Sequence, residues 1–210
     1  MAVLAVAIAF VSVRVHEDGP QSAFGDWVYV DSLSVIILAL TTLVGVFAVL
    51  NSLAYVDEEV REGKLREADR TRYFALLLTF MATMLAVPVL NNIGVMWVAI
   101  EATTVVSVLM VSIYRTGSSL EAAWKYLILG SVGIALALFG TMMTYYASTS
   151  LAGEVGNSLL WTDLSEIADR LDPDVMRLAF IFVLVGYGTK AGLAPMHTWL
   201  PDAHSQAPSP

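Results

Sequence analysis

The sequence predicts an all-α fold, a polytopic membrane helix bundle with about six transmembrane helices, the last of them broken. Composition is the first reason: 57% of the 210 residues are hydrophobic and 14% are charged, whereas charged residues make up about 25% of a soluble domain. The second reason is that long apolar runs recur, and a helix needs about 20 such residues to cross a bilayer. The third is that glycine and proline interrupt the final run. The apolar runs lie at residues 1–13, 31–55, 73–90, 93–114, 122–147 and 176–200.

Composition also excludes several kinds of site. The net charge is −8, but the charged residues cluster in short segments between apolar runs, so there is no basic stripe for nucleic acid. The chain has no cysteine, which excludes disulfides, thiolate metal sites and iron–sulfur ligation. No pair of histidines stands at ligand spacing with a carboxylate on the same helix face, so we expect neither a metal site nor a redox cofactor.

The first run, residues 1–13, is shorter than a membrane span and has two interpretations. A signal peptide would carry a basic segment before its apolar core and a small-x-small cleavage site after it. Neither feature is present, so we expect a truncated first helix. The last residues, 207–210, follow directly on a signal for helix re-initiation, and we predict that 1–210 is a single transmembrane domain, a fragment cut at both ends from a larger protein.

The next four runs are each long enough to span a membrane, and the loops between them predict their orientation. Cytoplasmic loops of membrane proteins carry an excess of Lys and Arg. Segment 56–72 contains five such residues, and the 115–125 turn contains Arg115 and Lys125. Alternating crossings place both segments on one side, predicted as cytoplasmic. Segment 56–72 also contains six acids, which is typical of a solvated amphipathic stretch or a partner-docking loop, and segment 148–175 is expected to hold a short interfacial helix.

The final run contains a charge, Lys190, followed by Gly192 and Pro195. A charge at bilayer depth is costly and is rarely present without a partner or a function. A helix broken by Gly and Pro frees backbone groups that hydrocarbon cannot satisfy, whereas a watery cavity can. His197 lies at the break, where a proton relay and ordinary packing both remain open. His204, near the end of the helix, is more typical of packing.

Glu101 is the second ionisable residue at membrane depth. It lies about 12 Å from the start of its apolar run, and Lys190 lies about 21 Å from Met176, at 1.5 Å per helical residue. One interpretation is a structural ion pair that ties two helices together, but buried pairs do not reliably stabilise proteins, and small residues alone can hold membrane helices together. The other, which we favour, is a functional pair whose members change each other's proton affinity when their distance changes.

Further polar residues carry weaker signals. Lys125 lies about a turn from the end of its helix, where it either belongs to the proton path or extends to the membrane surface. Thr103, Thr104 and Ser107 lie at helical spacing around the intramembrane carboxylate, and they either hydrogen-bond to it or pack between helices. Asp202 is expected to cap the helix that resumes after the break.

The residues around the break resemble a known family. The run from Lys190 to His204, with Ala207-Pro208 after it, resembles the broken-helix signature of the antiporter-like subunits of respiratory complex I, membrane-bound hydrogenases and multisubunit sodium/proton antiporters. Residues 91–114 resemble the glutamate helix of these subunits, and 121–140 the helix that follows it. Residues 112–146 are most similar to the F subunit of hydrogenase 4. The signature reads Lys190-Ala191-Gly192-Leu193-Ala194-Pro195-Met196-His197-Thr198-Trp199-Leu200-Pro201-Asp202-Ala203-His204.

This resemblance implies a subunit of about fourteen helices built from two inverted five-helix units, with this chain as its N-terminal half. Glu101 and Lys190 would match the glutamate and the lysine of the first half-channel, and His197 would match the histidine past the break. The central lysine and the second half-channel of the family lie outside the 210 residues, so the chain would hold the input half of a proton path.

The implied function is proton translocation, with sodium as the other ion considered, by a non-catalytic subunit of an oxidoreductase complex of the NADH dehydrogenase or hydrogenase type. Other membrane subunits and membrane lipid would be direct partners, and a peripheral redox arm an indirect one, in the inner (plasma) membrane of a prokaryote. Two alternatives stay open. One is a component of a stand-alone multisubunit cation/proton antiporter, and the other is a membrane scaffold whose charges only lock helices together.

Overall fold

Helices make up most of the structure, a computed structural model that describes residues 2–149, 151 and 159–210. A small antiparallel hairpin of β1 (Gln21–Ala23) and β2 (Val28–Val30) lies between the first two helices. Short 3-10 turns follow α3, α4 and α6, at Val87–Val89, Ser112–Tyr114 and Ala168–Arg170. The helices are α1 (Ala2–Asp18), α2 (Ser32–Arg61), α3 (Glu67–Ala86), α4 (Ile93–Val111), α5 (Gly117–Thr149), α6 (Trp161–Glu166), α7 (Pro173–Ala191) and α8 (Trp199–Gln206).

The predicted all-α membrane fold is confirmed, and every apolar run is helical over most of its length. Within the described ranges, four helices are long and apolar enough to cross a membrane, namely Ser32–Arg61, Glu67–Val89, Ile93–Tyr114 and Gly117–Thr149. The expected number was about six. The difference arises because α1 has 17 residues, and because α7 has 19 residues of which three are charged.

The hairpin after α1 is a feature that the sequence does not predict. Its turn places Phe24 and Asp26 in the left-handed region, with φ of 55° and 65°. Val30 on β2 packs with Val15 of α1 and Leu38 of α2 in one buried cluster. The first apolar run is thus a helix that contributes to the core beside α2.

Segment 56–72, predicted as a solvated amphipathic stretch or a partner-docking loop, forms the mostly exposed ends of two helices, and the docking of a partner there stays a prediction. Helix α2 continues to Arg61 and α3 begins at Glu67, so only a short turn with Gly63 (φ 73°) separates them. Charged side chains at the two helix ends pair with one another, as Arg70 does with Asp57 at 2.7 Å. Acidic residues in the first turn of α3 also complement the helix dipole.

The two basic segments lie at the same end of the bundle. Asp69 of α3 is buried and binds Arg115, which follows α4, at 2.9 Å. Near this ion pair the hydroxyls of Tyr55 on α2 and Tyr114 are 2.6 Å apart. The alternating crossings predicted from the basic residues therefore agree with the packing, and the assignment of this end to the cytoplasm stays a prediction.

Asn91 organises the opposite end. Its side chain is buried and donates to the carbonyl oxygen of Asp26 at 2.8 Å and to the hydroxyl of Thr162 at 3.0 Å. Its side-chain oxygen accepts from the backbone N–H of Thr162 at 3.2 Å. One amide thus holds the hairpin, the start of α4 and the short helix α6 together. Helix α6 confirms the short helix expected within 148–175, of which residues 150 and 152–158 lie outside the described ranges.

Helices α5 and α7 pack closely through small residues. A Cβ added at Gly133 would meet the Thr189 side chain at 2.6 Å. One added at Gly186 would lie 2.6 Å from the Ala137 Cβ and 2.7 Å from its Cα. Backbone contact of this kind is how membrane helices associate where there is no hydrophobic driving force between them. It fixes α7, and with it Lys190, against α5.

The predicted break in the last run is present. Helix α7 ends at Ala191, and Gly192 follows with φ 79°, its N–H donating to the carbonyl oxygens of Gly188 and Thr189. A left-handed residue after a helix C-terminus is usually glycine, because a side chain there is strained. Residues 193–198, which include Pro195, connect to α8 without regular structure.

Candidate functional site

Lys190 lies in the last turn of α7, directly before the break. Its ammonium donates to the hydroxyl of Tyr126 on α5 at 2.8 Å and lies 5.1 Å from the centre of that ring. The side chain is half-buried. The start of α7 is set by the Asp172 carboxylate, which accepts from the N–H groups of Asp174 and Val175, and by Pro173.

Tyr126 connects the lysine to two other elements. Its hydroxyl lies 2.9 Å from the hydroxyl of Ser107 on α4. Its ring stacks on Trp199, the first residue of α8, with centroids 4.4 Å apart and an angle of 15° between the planes. The Trp199 indole N–H in turn donates to the carbonyl oxygen of Thr189 at 2.9 Å, which satisfies one of the backbone groups freed by the break.

Glu101 lies about 9 Å along α4 from Ser107, at 1.5 Å per residue, on a helix that begins at the Asn92 cap. One carboxyl oxygen, Oε2, is buried and has no hydrogen-bond partner in the described part of the chain. Lys190 acts on this carboxyl electrostatically, and Thr104 is the neighbouring hydroxyl. The described residues show no direct ion pair between Glu101 and Lys190, because the ammonium is bound to Tyr126 instead.

Two cavities flank these helices. One of about 550 Å³ is lined by Ile100 and Thr103 of α4 and extends to Asp31 and Asn91 at the end opposite the basic segments. It reaches the helix turn that carries Glu101. The other, of about 480 Å³, lies among α4, α5, α6 and α7, and none of the predicted site residues lines it.

Lys125 belongs to a different cluster from Lys190. Its ammonium binds Glu121 at 2.7 Å and Asp202 of α8 at 2.8 Å, and its side chain is half-exposed. The expectation that Asp202 caps α8 is wrong: Thr198 occupies the N-cap position, and the Asp202 carboxylate pairs with Lys125 across the two helices. Lys125 therefore fastens α8 to α5, and its role in a proton path stays a prediction.

The two histidines that follow the break lie away from the lysine contact. His197 is in the connecting segment with its side chain exposed, and His204 is exposed on α8. Gly192 and Pro195 both lie at the break, as expected. In the described ranges, no group of three or more His, Asp or Glu residues is arranged to hold a metal ion.

Sequence reasoning missed the contact between Lys190 and Tyr126. Ser107 was considered as a partner of Glu101, but its hydroxyl points to Tyr126 and to the carbonyl oxygens of Thr103 and Thr104, at 2.8 and 3.0 Å. No spacing rule within one helix relates these residues, since they stand on α4, α5 and α7. A buried tyrosine in an apolar helix, which needs a hydrogen-bond partner, is the one local signal.

Comparison with known proteins places these features in a family. Residues 91–210, more than half of the chain, match the family described as NADH:quinone oxidoreductase/Mrp antiporter, TM. This range contains Glu101, Lys125, Lys190 and the break.

Several individual proteins are similar to the chain. A hydrogenase-4 component F homolog from Methylacidiphilum infernorum is 45% identical over 186 residues, 89% of this chain and 39% of that protein. An NADH-quinone oxidoreductase subunit N from Halorhodospira halophila is 30% identical over 86% of this chain and 34% of its own length. The chain thus spans less than half the length of these relatives.

Solved structures agree in fold. A chain of respiratory complex I from Thermus thermophilus superposes with a TM-score of 0.70 and 28% identity, covering 97% of this chain and 40% of that one. A chain of the membrane-bound sulfane sulfur reductase, an archaeal respiratory membrane complex, has the same fold with a TM-score of 0.79 at 19% identity, covering 99% of this chain and 41% of that one. The chain therefore belongs to the family of antiporter-like transmembrane proteins described as NADH:quinone oxidoreductase/Mrp antiporter.

Proposed function

We propose that this chain forms the proton-loading part of an antiporter-like subunit in a membrane-bound redox complex of the NADH-quinone oxidoreductase or group 4 hydrogenase type. The observation that carries the proposal is the state of two opposite charges in the bundle. The Lys190 ammonium is held by a neutral phenol at a helix break, and the Glu101 carboxyl on a neighbouring helix keeps one buried oxygen unpartnered. The relatives named above support the type of complex.

The chemistry follows from the distance between these charges. At an effective dielectric constant of about 20, two unit charges attract by roughly 4 kcal/mol at about 4 Å and by half of that at about 8 Å. A movement of this size changes the proton affinity of the lysine by more than tenfold, since about 1.4 kcal/mol is a factor of ten. Approach of Glu101 would keep Lys190 protonated, and withdrawal would release the proton to the next group along the path.

The break lowers the free energy that such a movement requires. Lys190 is the second-last residue of α7, and the chain beyond Gly192 is irregular up to Trp199. Few backbone hydrogen bonds have to change when the last turn shifts. A lysine in the middle of a continuous helix could move only if the backbone hydrogen bonds on both sides of it also changed. Redox reactions in another subunit would supply the free energy for the shift.

The surroundings follow from the same proposal. Large apolar side chains such as Leu40, Phe47 and Leu50 are exposed along α2, where they would contact lipid or other membrane subunits. We place the subunit in the inner (plasma) membrane of a prokaryote, with the peripheral redox arm as an indirect partner, because respiratory relatives of this kind occur among the similar proteins.

The test uses the complete complex in sealed vesicles with its electron donor. We expect Lys190→Ala and Glu101→Gln to abolish proton translocation while electron transfer continues at a reduced rate. Matched controls are Lys64→Ala and Glu67→Gln, which change exposed residues at the end of the bundle. Undiminished proton translocation in both site variants would refute the proposal.

A second function is favoured by the family description, which includes Mrp antiporters. In that case the subunit would exchange sodium for protons without electron transfer. A sodium gradient imposed on vesicles without any electron donor distinguishes the two functions. Such a gradient drives proton movement if the subunit is a sodium/proton antiporter, and it does not if proton translocation requires electron transfer. If Glu101 and Lys190 keep fixed protonation states during turnover, neither function holds and the charges serve as a scaffold.

A further inference from the structure

The hydroxyl of Tyr126 is the group that binds Lys190 in this structure, and the proposed function names this contact without giving Tyr126 a role in proton transfer. We propose that Tyr126 is a positioning residue: it binds the Lys190 ammonium on the α5 side and so competes with Glu101 on α4 for the same charge. This inference rests on the proposed function, because it concerns the same lysine. It adds a third member, and a fourth in Ser107, to the Glu101–Lys190 site.

The direction of the hydrogen bonds follows from the donor inventory. An ammonium has only donors, so the Tyr126 oxygen must accept from Lys190. The Tyr126 O–H then needs an acceptor of its own, and the Ser107 oxygen lies 2.9 Å away. The Ser107 O–H in turn donates to the carbonyl oxygen of Thr103 at 2.8 Å. The chain of donors therefore runs from the lysine on α7 through α5 to the backbone of α4.

The same two hydroxyls can also form hydrogen bonds with a neutral lysine, with the donors and acceptors exchanged. A neutral amine accepts a hydrogen bond, so the Tyr126 O–H would turn to Lys190, and the Ser107 O–H would leave the Thr103 carbonyl and donate to Tyr126. Neither state leaves a buried hydroxyl without a partner. The pair of hydroxyls thus accommodates both protonation states of Lys190, which a carboxylate or an apolar side chain at position 126 could not do equally well.

Trp199 holds Tyr126 in place and ties it to the break. The stacked rings fix the phenol against the first turn of α8, while the Trp199 indole N–H binds the carbonyl oxygen of Thr189, next to Lys190 in the chain. A movement of the segment between α7 and α8 that displaces Trp199 would therefore disturb both the stacking of the phenol and the hydrogen bond beside the lysine. The geometry of the break would thus influence whether the Lys190 ammonium binds Tyr126 or Glu101.

The charges around Lys190 allow Tyr126 this role. Glu101 on α4 interacts with it electrostatically. On α5 and α8, Lys125 binds Glu121 at 2.7 Å and Asp202 at 2.8 Å, so these charges are already paired. His197 in the connecting segment is exposed. Tyr126 is then the contact that stabilises the ammonium when Glu101 is withdrawn.

The decisive variant is Tyr126→Phe, which keeps the ring stacked on Trp199 and removes the hydroxyl. Proton translocation by the complete complex is measured against pH. A hydrogen bond to a charged group contributes enough to shift the alkaline limb of this profile to lower pH by about one unit. Ser107→Ala should shift it less and in the same direction. The double variant should equal Tyr126→Phe alone, because Ser107 acts only through Tyr126.

Controls separate this effect from a loss of packing. Tyr146→Phe removes a hydroxyl from an exposed tyrosine on α5, and Ser112→Ala removes one from a partly exposed serine after α4. Both should leave the pH profile unchanged. An unshifted alkaline limb in Tyr126→Phe, or an equal shift in Tyr146→Phe, overturns the inference. If Tyr126→Phe does not assemble, Ser107→Ala decides, and an unshifted limb there has the same meaning.

The outcome for Lys190→Ala distinguishes this inference from the proposed function. If Lys190→Ala stops proton translocation while Tyr126→Phe matches the unmodified complex, the proposed function stands and the role of Tyr126 is wrong. If Lys190→Ala translocates protons normally, both are wrong.

Discussion

Replacing Gly186 by alanine tests whether close contact between α5 and α7 holds the lysine-bearing helix in position. The added Cβ would lie 2.6 Å from the Ala137 Cβ and 2.7 Å from its Cα, whereas non-bonded carbon atoms prefer about 3.5–4.0 Å. The atoms on the α5 side belong to the backbone or are fixed to it, so they cannot rotate away. The two helices must therefore separate by about 1 Å.

The magnitude combines two effects. Overpacking of this kind costs about 1–3 kcal/mol, and the higher helix propensity of alanine offsets up to about 1 kcal/mol. We expect the free energy of unfolding to fall by about 1–2 kcal/mol, and the melting temperature by about 2–8 °C for a domain of this size. The separation also moves Lys190 relative to Tyr126, so proton translocation should fall as well.

The assay is thermal unfolding of the purified subunit in detergent, with Gly117→Ala as the matched control, since no atom lies within 4 Å of a Cβ at that position. Combining Gly186→Ala with Ala137→Gly removes one of the close contacts and leaves those to the backbone. The double variant should therefore recover only part of the lost stability. A melting temperature for Gly186→Ala equal to that of Gly117→Ala would refute the reasoning.

Two further predictions concern the end of the bundle opposite the basic segments. Asp31→Ala removes the cap of α2 and should lower the free energy of unfolding by about 1 kcal/mol. The backbone N–H of Ser34 holds the pKa of Asp31 below its usual value. This stabilisation is therefore present above the unfolded-state pKa and is lost as the pH falls through the lower folded-state pKa. A stability difference between variant and parent that persists at the lowest pH would contradict the assignment. Asn91→Ala leaves the Asp26 carbonyl and the Thr162 hydroxyl without their buried donor, and it should cost about 1–3 kcal/mol in the same thermal assay. Stability equal to the parent would show that water replaces the amide.

Local patterns predicted most of the elements. Apolar runs located every long helix because hydrocarbon selects against polar side chains over a fixed length. Gly192 and Pro195 located the break because each restricts the backbone in a way that does not depend on distant neighbours. The pairing of the charges at the ends of α2 and α3 could not be predicted, since ion pairs such as Arg70–Asp57 join residues that only the folded turn brings together.

The sequence identified the charged residues of the candidate site, but it did not predict which side chains they contact. Glu101 and Lys190 are conspicuous in the sequence because an ionisable group at bilayer depth is rare. Their relation could not be derived, since it depends on how α4, α5 and α7 are rotated about their axes, and the small residues at Gly133 and Gly186 set that rotation for α5 and α7.

The sequence by itself determined that this chain is a helical membrane protein, that its last helix is broken, and that two opposite charges, Glu101 and Lys190, stand in apolar segments. These properties depend on the transfer of single residues and single segments from water to hydrocarbon, which composition and order already describe. Only the tertiary structure decided that Lys190 binds Tyr126 instead of pairing directly with Glu101, and that Lys125 binds Asp202. These contacts join side chains on different helices, so they depend on how closely the helices pack, to within a few ångströms. No single segment of the sequence specifies that packing.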